Sequence, residues 1–421
     1  MNGMRIAVIG AGSHVFGPTV LHGAIVEHRL DGAEIALIDL NRETVDLMAA
    51  IGRRVARESG VNLTITAHTD RRAGIAGADF VICSAARDLQ RRFAMDVAII
   101  HQHAPGHLVT EFGGVQGISY SLRQIALIEE IVADMQALAP TAWLLNSANP
   151  LPRLCQAAHE LGVPTAGFCS NSMGGYHLIG KLMLDVDEWH PWTMARDRYE
   201  AVLAGVNHFT WLLQLIDRRT GADVTTEFRD RVRSELGDSY TGLLFDETGC
   251  WPPNGDAHMR DFLPPNRRSE PLAEASHGTA EEREQRLMVL RDIAAGNRDW
   301  QSLLAHRAWE KPIDFVAGAS EFHSLNLINR GQIPNLPPNV FVETPVRGRQ
   351  PRTLVLPAPV AKYCRVTAEL TDVIVRAARQ RSRGLVHLAV ELDPTILDKR
   401  AGIAALDECL RAHADILPAY Q

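Results

Sequence analysis

The feature that most constrains this chain is a short apolar run near its start that ends in two closely spaced glycines. Residues 4–12 read MRIAVIGAG, and a continuous apolar run of this length is typical of a parallel strand buried on both faces. Further apolar runs, at residues 33–40, 62–68, 78–85 and 141–150, alternate with stretches of helical periodicity. This alternation predicts βαβ units, and therefore an α/β fold with a Rossmann-type, doubly wound parallel sheet.

The turn after the first strand, GAGSHVF at residues 10–16, has the form of a dinucleotide site. Its first glycine permits a tight turn and its second lets backbone N–H groups approach a pyrophosphate, although Val15 stands where a third glycine is usual. Asp39 ends the second strand, where a carboxylate accepts the ribose hydroxyls of NAD and repels the extra phosphate of NADP. Arg42 lies nearby and could bind the extra phosphate, so NADP stays an alternative to NAD. The other alternative is that the glycine turn binds no nucleotide at all. The predicted NAD contacts are Gly10, Gly12, Ser13, His14, Val15, Phe16 and Asp39.

Length and rhythm predict two domains. A chain of 421 residues is long for one compact unit, and the strand–helix alternation stops near residue 170. We predict an NAD-binding Rossmann domain over residues 1–170 and an α+β catalytic or substrate domain over residues 171–421. The second domain has a Pro-, Gly- and Asn-rich stretch at 247–268, which predicts a long ordered loop. Helices are expected at 280–296, 357–381 and 403–414.

Composition excludes several classes of partner. The formal net charge of -7 disfavours nucleic acid. The six cysteines are scattered without paired spacing, which predicts free thiols in a reducing compartment. No stretch approaches the ~20 apolar residues of a membrane-spanning helix, and the first residues read as a strand rather than as a leader. We therefore predict a cytoplasmic protein that binds neither nucleic acid nor membrane.

Eight segments that run in order from residue 6 to about residue 394 carry a resemblance. They are IGAGSHVF, EFGGVQGISYSLRQI, LLNSANP, GFCSNSMGG, GVNHFTW, GDAHMRDFLP, NLINRGQIPNLPPNVFVETP and VELDP. Together they resemble glycoside hydrolase family 4, the NAD- and divalent-metal-dependent glycosidases. The glycine turn and the NP motif are shared with lactate and malate dehydrogenases, whereas the later segments are specific to this family.

The resemblance implies an unusual route for breaking a glycosidic bond, because NAD-dependent family 4 is an exception to the two-carboxylate mechanism. Bound NAD takes the hydride from C3 of the sugar, and the resulting ketone acidifies the C2 proton. A base removes that proton while a divalent metal such as Mn²⁺ stabilises the enediolate. The leaving group is eliminated, water adds to C1 and the hydride returns. The resemblance also favours a homodimer or homotetramer.

Cys169 and His208 are the metal ligands that the resemblance implies. Each follows a short apolar stretch, which is expected to place both at the ends of neighbouring strands. A thiolate and an imidazole together suit a divalent transition metal. Taken singly, a cysteine is more often a small buried apolar residue, and a histidine a hydrogen-bonded core residue. Their occurrence in two family motifs favours the metal site.

The resemblance also implies substrate contacts and a base. Asn149 is expected to direct its amide at the sugar near C3, and Asn146 to contact the nicotinamide ribose, with turn chemistry before Pro150 as the alternative for both. The GDAH loop carries the base in part of the family, so we predict Asp256 as the base and His258 close to the metal or substrate. The alternative for Asp256 is an Asx turn.

Two positions depart from the family pattern. Family members usually carry His, Asp or Asn directly after the metal-binding cysteine, but this chain has Ser170, followed by Asn171 as a predicted substrate contact. An unperturbed serine hydroxyl is a poor general acid near neutral pH. The acid is therefore left open between Ser170, His177, His258 and a water. The region before EFGGVQG departs too, and its histidines are either neighbours of the site or surface residues: His101, His103 and His107.

Basic residues favour an anionic substrate. A guanidinium fork fits a carboxylate, phosphate or sulfonate, so an anion at C6 is expected, as in a uronic acid, a 6-phosphosugar or sulfoquinovose. Each arginine taken alone is more simply a solvated surface charge. The candidates are Arg87, Arg260, Arg347 and Arg349, of which the first two are the predicted substrate contacts.

The predicted function is an NAD- and metal-dependent glycosidase acting on a small-molecule glycoside. A related NAD-dependent sulfoquinovosidase family that uses the same route is one alternative. A hydroxy acid or sugar dehydrogenase is the second, and it would need no metal pair and would release NADH. A non-catalytic NAD- or sugar-binding protein is the third, and it would bind the cofactor without turnover.

Overall fold

The computed structural model describes residues 3–14, 16–169, 171–187, 193–265, 279–301, 303 and 311–421. Two predicted site residues, Val15 and Ser170, lie outside these residues, as does the side chain of Asn171. The backbone of Asn171 is described, and it begins a helix.

The described strands form one sheet whose first half is parallel. The strands are β1 Arg5–Ile9, β2 Glu34–Ile38, β3 Thr64–His68, β4 Phe80–Cys83, β5 Trp143–Asn146, β6 Thr165–Gly167, β7 Tyr199–Val206, β8 Phe209–Asp217, β9 Phe322–Ile328, β10 Phe341–Arg347 and β11 Gln350–Pro351. Their order is β3-β2-β1-β4-β5-β6-β9-β10-β7-β8, with β11 paired to β10. All neighbours from β3 to β6 are parallel, and this order is that of a doubly wound dinucleotide-binding sheet. The predicted fold class is confirmed.

Helices pack on both faces of this sheet. They are α1 Phe16–His22, α2 Arg42–Ser59, α3 Arg71–Ile75, α4 Leu89–His103, α5 Gly114–Leu138, α6 Leu151–Glu160, α7 Asn171–Leu184, α8 Thr193–Arg198, α9 Thr225–Leu236, α10 Tyr240–Thr248, α11 Asp256–Met259, α12 Ala280–Ala295, α13 Pro312–Val316, α14 Ala358–Gln380, α15 Arg383–Leu392 and α16 Lys399–Ala412. The predicted loop at 247–268 contains α11, and α16 begins earlier than expected because Asp398 caps it by accepting from the backbone N–H of Ala401 at 3.0 Å. Among the described residues, no helix is long and apolar enough to cross a bilayer.

Two apolar cores sandwich the parallel strands. One face is covered by α1, α2 and α12, with Leu21, Ile51 and Leu290 fully buried against the strands. The other is covered by α5, α6, α14 and α16, and includes Ile118 and Ile374. A fully buried Leu or Ile contributes about 1.5–3 kcal/mol relative to exposure, so the sheet that carries the glycine turn is held rigidly from both sides.

The sheet continues across the predicted domain boundary at residue 170, and the boundary itself stays a prediction. β6 pairs with β9 through Gly167 and Asn326, so the second half extends the same sheet instead of starting another. The last helices also return to the first half, where His413 at the end of α16 bonds to the buried Asp96 of α4 at 2.7 Å. An open edge at β6 would leave backbone groups without partners, and a strand from the second half supplies them.

Candidate active site

A cavity of about 990 Å³ opens at the carboxyl ends of β1, β2 and β4. Ligands of doubly wound sheets bind at this edge, between the strands where the chain order reverses. The predicted nucleotide contacts that line the cavity are Gly10, Gly12, Ser13 and Asp39. The predicted substrate contact Arg87 lines it as well. The Arg87 guanidinium donates to Glu130 at 2.7 Å, so the structure places this residue at the nucleotide cavity.

The glycine turn is built around Asp39. Its Oδ2 accepts from the backbone N–H of Gly12 at 2.9 Å, and its Oδ1 accepts from that of Asn41 at 3.0 Å. A Cβ at position 12 would lie 2.7 Å from Oδ2, which only glycine avoids. Gly10 has a φ of 84°, and a Cβ there would lie 3.0 Å from the backbone nitrogen of Ala85. The carboxylate therefore both shapes the turn and faces the cavity.

Gly17 takes the packing role of the third glycine, two positions after Val15. A Cβ at position 17 would lie 2.2 Å from the carbonyl oxygen of Ala11 and 3.3 Å from Cε of Met48. The third glycine of a dinucleotide fingerprint allows close packing between helix and strand, and Gly17 allows a comparable close approach of α1 to the turn and to α2. The fingerprint still lacks a glycine at position 15, and Gly17 supplies this close approach two residues later.

The remaining predicted nucleotide contacts surround the start of α1. Phe16 is the first residue of α1, and its backbone N–H donates to Ser13 Oγ at 3.3 Å. His14 is half-buried, and this burial, with a smaller effect from the positive charge of Arg286, lowers the pKa of His14. One guanidinium nitrogen of Arg42 donates to Thr69 at 3.0 Å, and the side chain is 60% exposed, so its other N–H groups still leave NADP open.

Cys169 and His208 lie side by side. The distance from His208 Nε2 to Cys169 Sγ is 3.1 Å. Two ligands at ~2.1 Å (nitrogen) and ~2.3 Å (sulfur) from one ion, at 90–109° to each other, lie roughly 3.1–3.6 Å apart. The thiol and the imidazole therefore have the separation and the chemistry of two ligands of one metal ion. The expectation of neighbouring strands was wrong, because β9 and β10 lie between β6 and β7.

His208 is enclosed by aromatic residues from two other family segments. It occupies the two-residue turn between β7 and β8 and is 2% exposed. Its ring lies 4.3 Å from that of Phe112 and 5.0 Å from that of His258, centroid to centroid. Burial, reinforced by the nearby His258, lowers the pKa of His208 well below its usual range. The imidazole is therefore neutral, which is the form that binds metals.

The loop before α5 brings a carboxylate that the sequence did not single out. Asn149 donates from Nδ2 to Glu111 Oε1 at 3.2 Å, and Glu111 directly precedes Phe112. The start of α5 is fixed by Asp393 of the VELDP segment, whose Oδ2 accepts from the backbone N–H of Gly114 at 2.8 Å. The only sequence signal for Glu111 was its position at the start of EFGGVQG.

Asn146 has a different role from the predicted one. Its amide donates to the carbonyl of Ala148 at 2.9 Å and accepts from the backbone N–H of the same residue at 3.2 Å. The side chain is fully buried and also contacts Cys155 Sγ at 3.7 Å. The turn alternative accounts for this asparagine, and its predicted contact with the nicotinamide ribose has no support in this geometry.

Two family models cover most of the chain. Residues 5–184 match the model for a family 4 glycosyl hydrolase, and residues 203–396 match the model for the family 4 glycosyl hydrolase C-terminal domain. The chain belongs to glycoside hydrolase family 4.

Relatives span the full length of this family 4 chain. An alpha-galactosidase from Bacillus subtilis (strain 168) is 25% identical, with 99% of this chain and 100% of the relative covered. An alpha-galacturonidase from the same organism is 24% identical, over 81% of this chain and 80% of the relative. The crystal structure of a 6-phospho-alpha-glucosidase from gut microorganisms in complex with NAD and Mn²⁺ has a TM-score of 0.81 at 17% identity, over 99% and 100% of the two chains. At that identity the likeness is one of fold.

In this family 4 chain, the predicted base is part of a helix cap. Both carboxylate oxygens of Asp256 accept hydrogen bonds at the start of α10, from the backbone N–H of Tyr240 at 3.1 Å and of Thr241 at 3.0 Å. The hydroxyl of Thr241 donates a third bond at 2.8 Å. His258 lies two residues further along the same loop, and the charge of Arg260 contributes to lowering its pKa, after burial. Of the four predicted arginines, Arg260 is the one in this segment and the one whose charge acts on His258.

Two predicted arginines lie elsewhere. Arg347 donates to Glu200 at 2.8 Å and to the carbonyl of Phe322 at 3.1 Å. Glu200 is at the start of β7 and His208 follows its end, so the two are separated by roughly 20 Å of strand at ~3.3 Å per residue. Arg349 donates to the carbonyl of Gly318 at 3.1 Å. Their predicted role as C6 ligands was wrong, because β10 runs away from the site.

The other histidines singled out in the sequence lie on α7, at the end of α4 and beside α16. His177 on α7 pairs with Asp187, with 3.6 Å between Nε2 and Oδ1, so as a candidate acid it faces the end of its own helix. His101 and His103 end α4, and His101 is exposed. His107 packs against Gly402 of α16, which places it on the helical layer of the first half.

Proposed function

We propose that this chain is an NAD- and divalent-metal-dependent glycosidase acting on small-molecule glycosides. The observation that carries the proposal is the 3.1 Å separation of His208 Nε2 and Cys169 Sγ. The sheet whose strands precede these two residues also carries, at the ends of β1, β2 and β4, a cavity lined by the residues expected to bind a dinucleotide. A hydroxy acid dehydrogenase needs the cavity but not the pair. A glycosidase of the family 4 type needs both.

The donor sets fit the two groups that the family uses. When bound, NAD would supply reversible hydride removal at C3 and the metal would supply a Lewis acid for O2 and O3 of the sugar, which together acidify the C2 proton. Gly10, Gly12 and Asp39 would hold the dinucleotide. Cys169 and His208 would hold the cation through a thiolate and a neutral imidazole.

The sugar is oriented by Asn149 and Glu111. Their 3.2 Å contact presents an amide and a carboxylate side by side. A sugar hydroxyl both donates and accepts, so such a pair can satisfy two adjacent hydroxyls at once. We assign Asn149 to the hydroxyl at C3, where hydride is removed, and Glu111 to a neighbouring hydroxyl.

Asp256 removes the C2 proton, and His258 protonates the leaving oxygen. Three hydrogen bonds from the first turn of α10 fix the orientation of the Asp256 carboxylate. A fixed orientation is what a pre-organised base requires. His258 is assigned as the acid because its ring adjoins that of His208 and because the residue after Cys169 is a serine.

The glycone carries an anion at C6, recognised by Arg260. Of the predicted arginines, it is the one next to His258, and a guanidinium binds a carboxylate, phosphate or sulfonate in a bidentate manner. Relatives named as an alpha-galacturonidase and a probable 6-phospho-beta-glucosidase support an anionic sugar, whereas the relative named as an alpha-galactosidase is the reason for a neutral member in the test panel. The homo-oligomer and the cytoplasmic location stay predictions.

The test is a panel of aryl glycosides incubated with NAD, Mn²⁺ and a reducing agent, with uronate, 6-phosphate, 6-sulfonate and neutral members. We expect turnover of an anionic glycoside, no accumulation of NADH, and solvent deuterium at C2 of the product when the reaction runs in heavy water. Deuterium-free product would refute the elimination route. Stoichiometric NADH would instead indicate a dehydrogenase.

Cysteine variants separate the metal site from general effects of thiol removal. Cys169→Ser should abolish turnover while NAD affinity stays unchanged, because the nucleotide cavity does not include this residue. The matched control is Cys250→Ser, since Cys250 is another free cysteine of the second half, and its Sγ accepts from Arg229 at 3.6 Å. Full activity in the Cys169 variant would remove it from the proposed site.

A further inference from the structure

A row of paired residues crosses the sheet next to the metal pair. Asn146, Gly167, Asn326, Glu343 and Gly205 are consecutive partners in the register of β5, β6, β9, β10 and β7. Residues directly opposite one another on neighbouring strands point to the same face. This register therefore places polar side chains in a row on one face of the sheet, where apolar residues would be the ordinary choice for packing.

Glu343 is the ionisable member of this row. It is fully buried in the centre of β10, and a buried carboxylate is costly unless hydrogen bonds compensate for the lost water. Its Oε2 accepts from Asn207 Nδ2 at 2.9 Å, and its Oε1 accepts from the hydroxyl of Ser324. The cost of burial indicates a specific task for this charge.

The partner of Glu343 is the residue directly before His208. Asn207 and His208 form the two-residue turn between β7 and β8, bounded by the pair Val206 and Phe209. The backbone carbonyl of His208 accepts a hydrogen bond from the side chain of Asn254. The turn is thus held on one side by Glu343, through Asn207, and on the other by the loop that leads to α11.

We propose that Glu343 is the positioning residue of the metal site. Through Asn207 it fixes the turn that directs the His208 imidazole at Cys169, because its two oxygens accept from Asn207 on the turn and from Ser324 on β9. Partners behind a metal ligand typically change metal affinity by about 10–100-fold when mutated. The inference rests on the proposed function, because it requires a cation at Cys169 and His208.

Two variants test the two ends of this link. Glu343→Gln replaces one acceptor oxygen with an N–H donor although Asn207 and Ser324 both donate to this side chain, whereas Asn207→Ala removes the link itself. Both should weaken Mn²⁺ binding by about 10–100-fold while NAD affinity stays at the wild-type value. Asp96→Asn is the matched control. Asp96 is another fully buried, hydrogen-bonded carboxylate, but it lies in α4 against the C-terminal helix.

The experiment titrates the full-length, NAD-loaded protein with Mn²⁺ and follows the electron paramagnetic resonance signal of the free ion. We expect weaker binding in both site variants and wild-type binding in Asp96→Asn, even if that control melts at a lower temperature. Wild-type Mn²⁺ affinity in both Glu343→Gln and Asn207→Ala would overturn the inference and leave the proposed function intact. If the wild-type protein itself fails to bind Mn²⁺, the proposed function falls and the inference falls with it. If Glu343→Gln does not fold, Asn207→Ala decides.

Discussion

Gly17→Ala should damage the nucleotide site from outside it. The added Cβ would lie 2.2 Å from the carbonyl oxygen of Ala11, more than 1 Å inside ordinary contact distance, and the obstructing atom is backbone. Helix α1 or the glycine turn must therefore shift. Overpacking of this kind costs about 1–3 kcal/mol. At about 2.1 cal/mol/K per residue, 421 residues give an unfolding entropy of about 0.9 kcal/mol/K, so the melting temperature should fall by about 1–3 °C.

The effect on NAD should be larger than the effect on stability. A shift of about 1 Å in a turn whose backbone N–H groups bind a pyrophosphate is expected to weaken NAD binding by at least tenfold, measured by calorimetric titration. Gly174→Ala is the matched control, because Gly174 is helical and has open space around its Cβ position. It should be neutral or should stabilise by about 0.5–1 kcal/mol. If Gly17→Ala binds NAD and melts as the wild type does, the assignment of Gly17 as the third glycine is wrong.

Four further outcomes follow from the structure. Asp39→Asn should weaken NAD binding, because the acceptor for the ribose hydroxyls is weakened. It should also reduce the ratio of NAD affinity to NADP affinity, measured by parallel titrations, because the repulsion of the extra phosphate is lost. Asp256→Asn should block deuterium exchange at C2 while enzyme-bound NADH still forms, and loss of both would remove Asp256 as the base. His258→Gln should reduce turnover of glycosides with poor leaving groups far more than that of nitrophenyl glycosides; an equal loss would exclude it as the acid. Burial raises the pKa of Asp261 from 3.8 to about 8, so between these values the unfolded state has lost this proton and the folded state still holds it. The free energy of unfolding, measured with urea, should therefore fall as the pH rises from 3.8 towards 8 and level off above 8, and this fall should be absent in Asp261→Asn.

The parts of the site that could be predicted from sequence are those encoded locally. Gly10, Gly12 and Asp39 stand at fixed positions relative to two adjacent strands, so their meeting at one cavity follows from the βαβ unit alone. Cys169 and His208 were paired by resemblance, and their 3.1 Å separation agrees with it. Nothing in the local pattern indicated that β9 and β10 lie between β6, which precedes Cys169, and β7, which precedes His208.

What could not be predicted depends on contacts that are distant in sequence. Glu111 shows no special pattern, and it becomes notable only through its contact with Asn149, 38 residues away. Arg347 matched the chemistry of an anion ligand but not the position, because strand direction decides which end of β10 faces the site. Asn146 had two plausible roles, and its complete burial favoured the turn. In each case the residue type indicated which interactions the side chain can make, whereas its place relative to the site depended on contacts that only the folded chain shows.

The bond between Gly114 and Asp393 spans 279 residues, and it has a consequence for biosynthesis. During translation the amino-terminal strands can pair as soon as they emerge, since domains generally fold as units from the N-terminus. The loop that carries Glu111, however, lacks its anchor until the VELDP segment has left the ribosome. Arg283 lines the nucleotide cavity, so that cavity is expected to be complete once α12 has emerged, whereas the loop that carries Glu111 is expected to be fixed only after Asp393 has emerged.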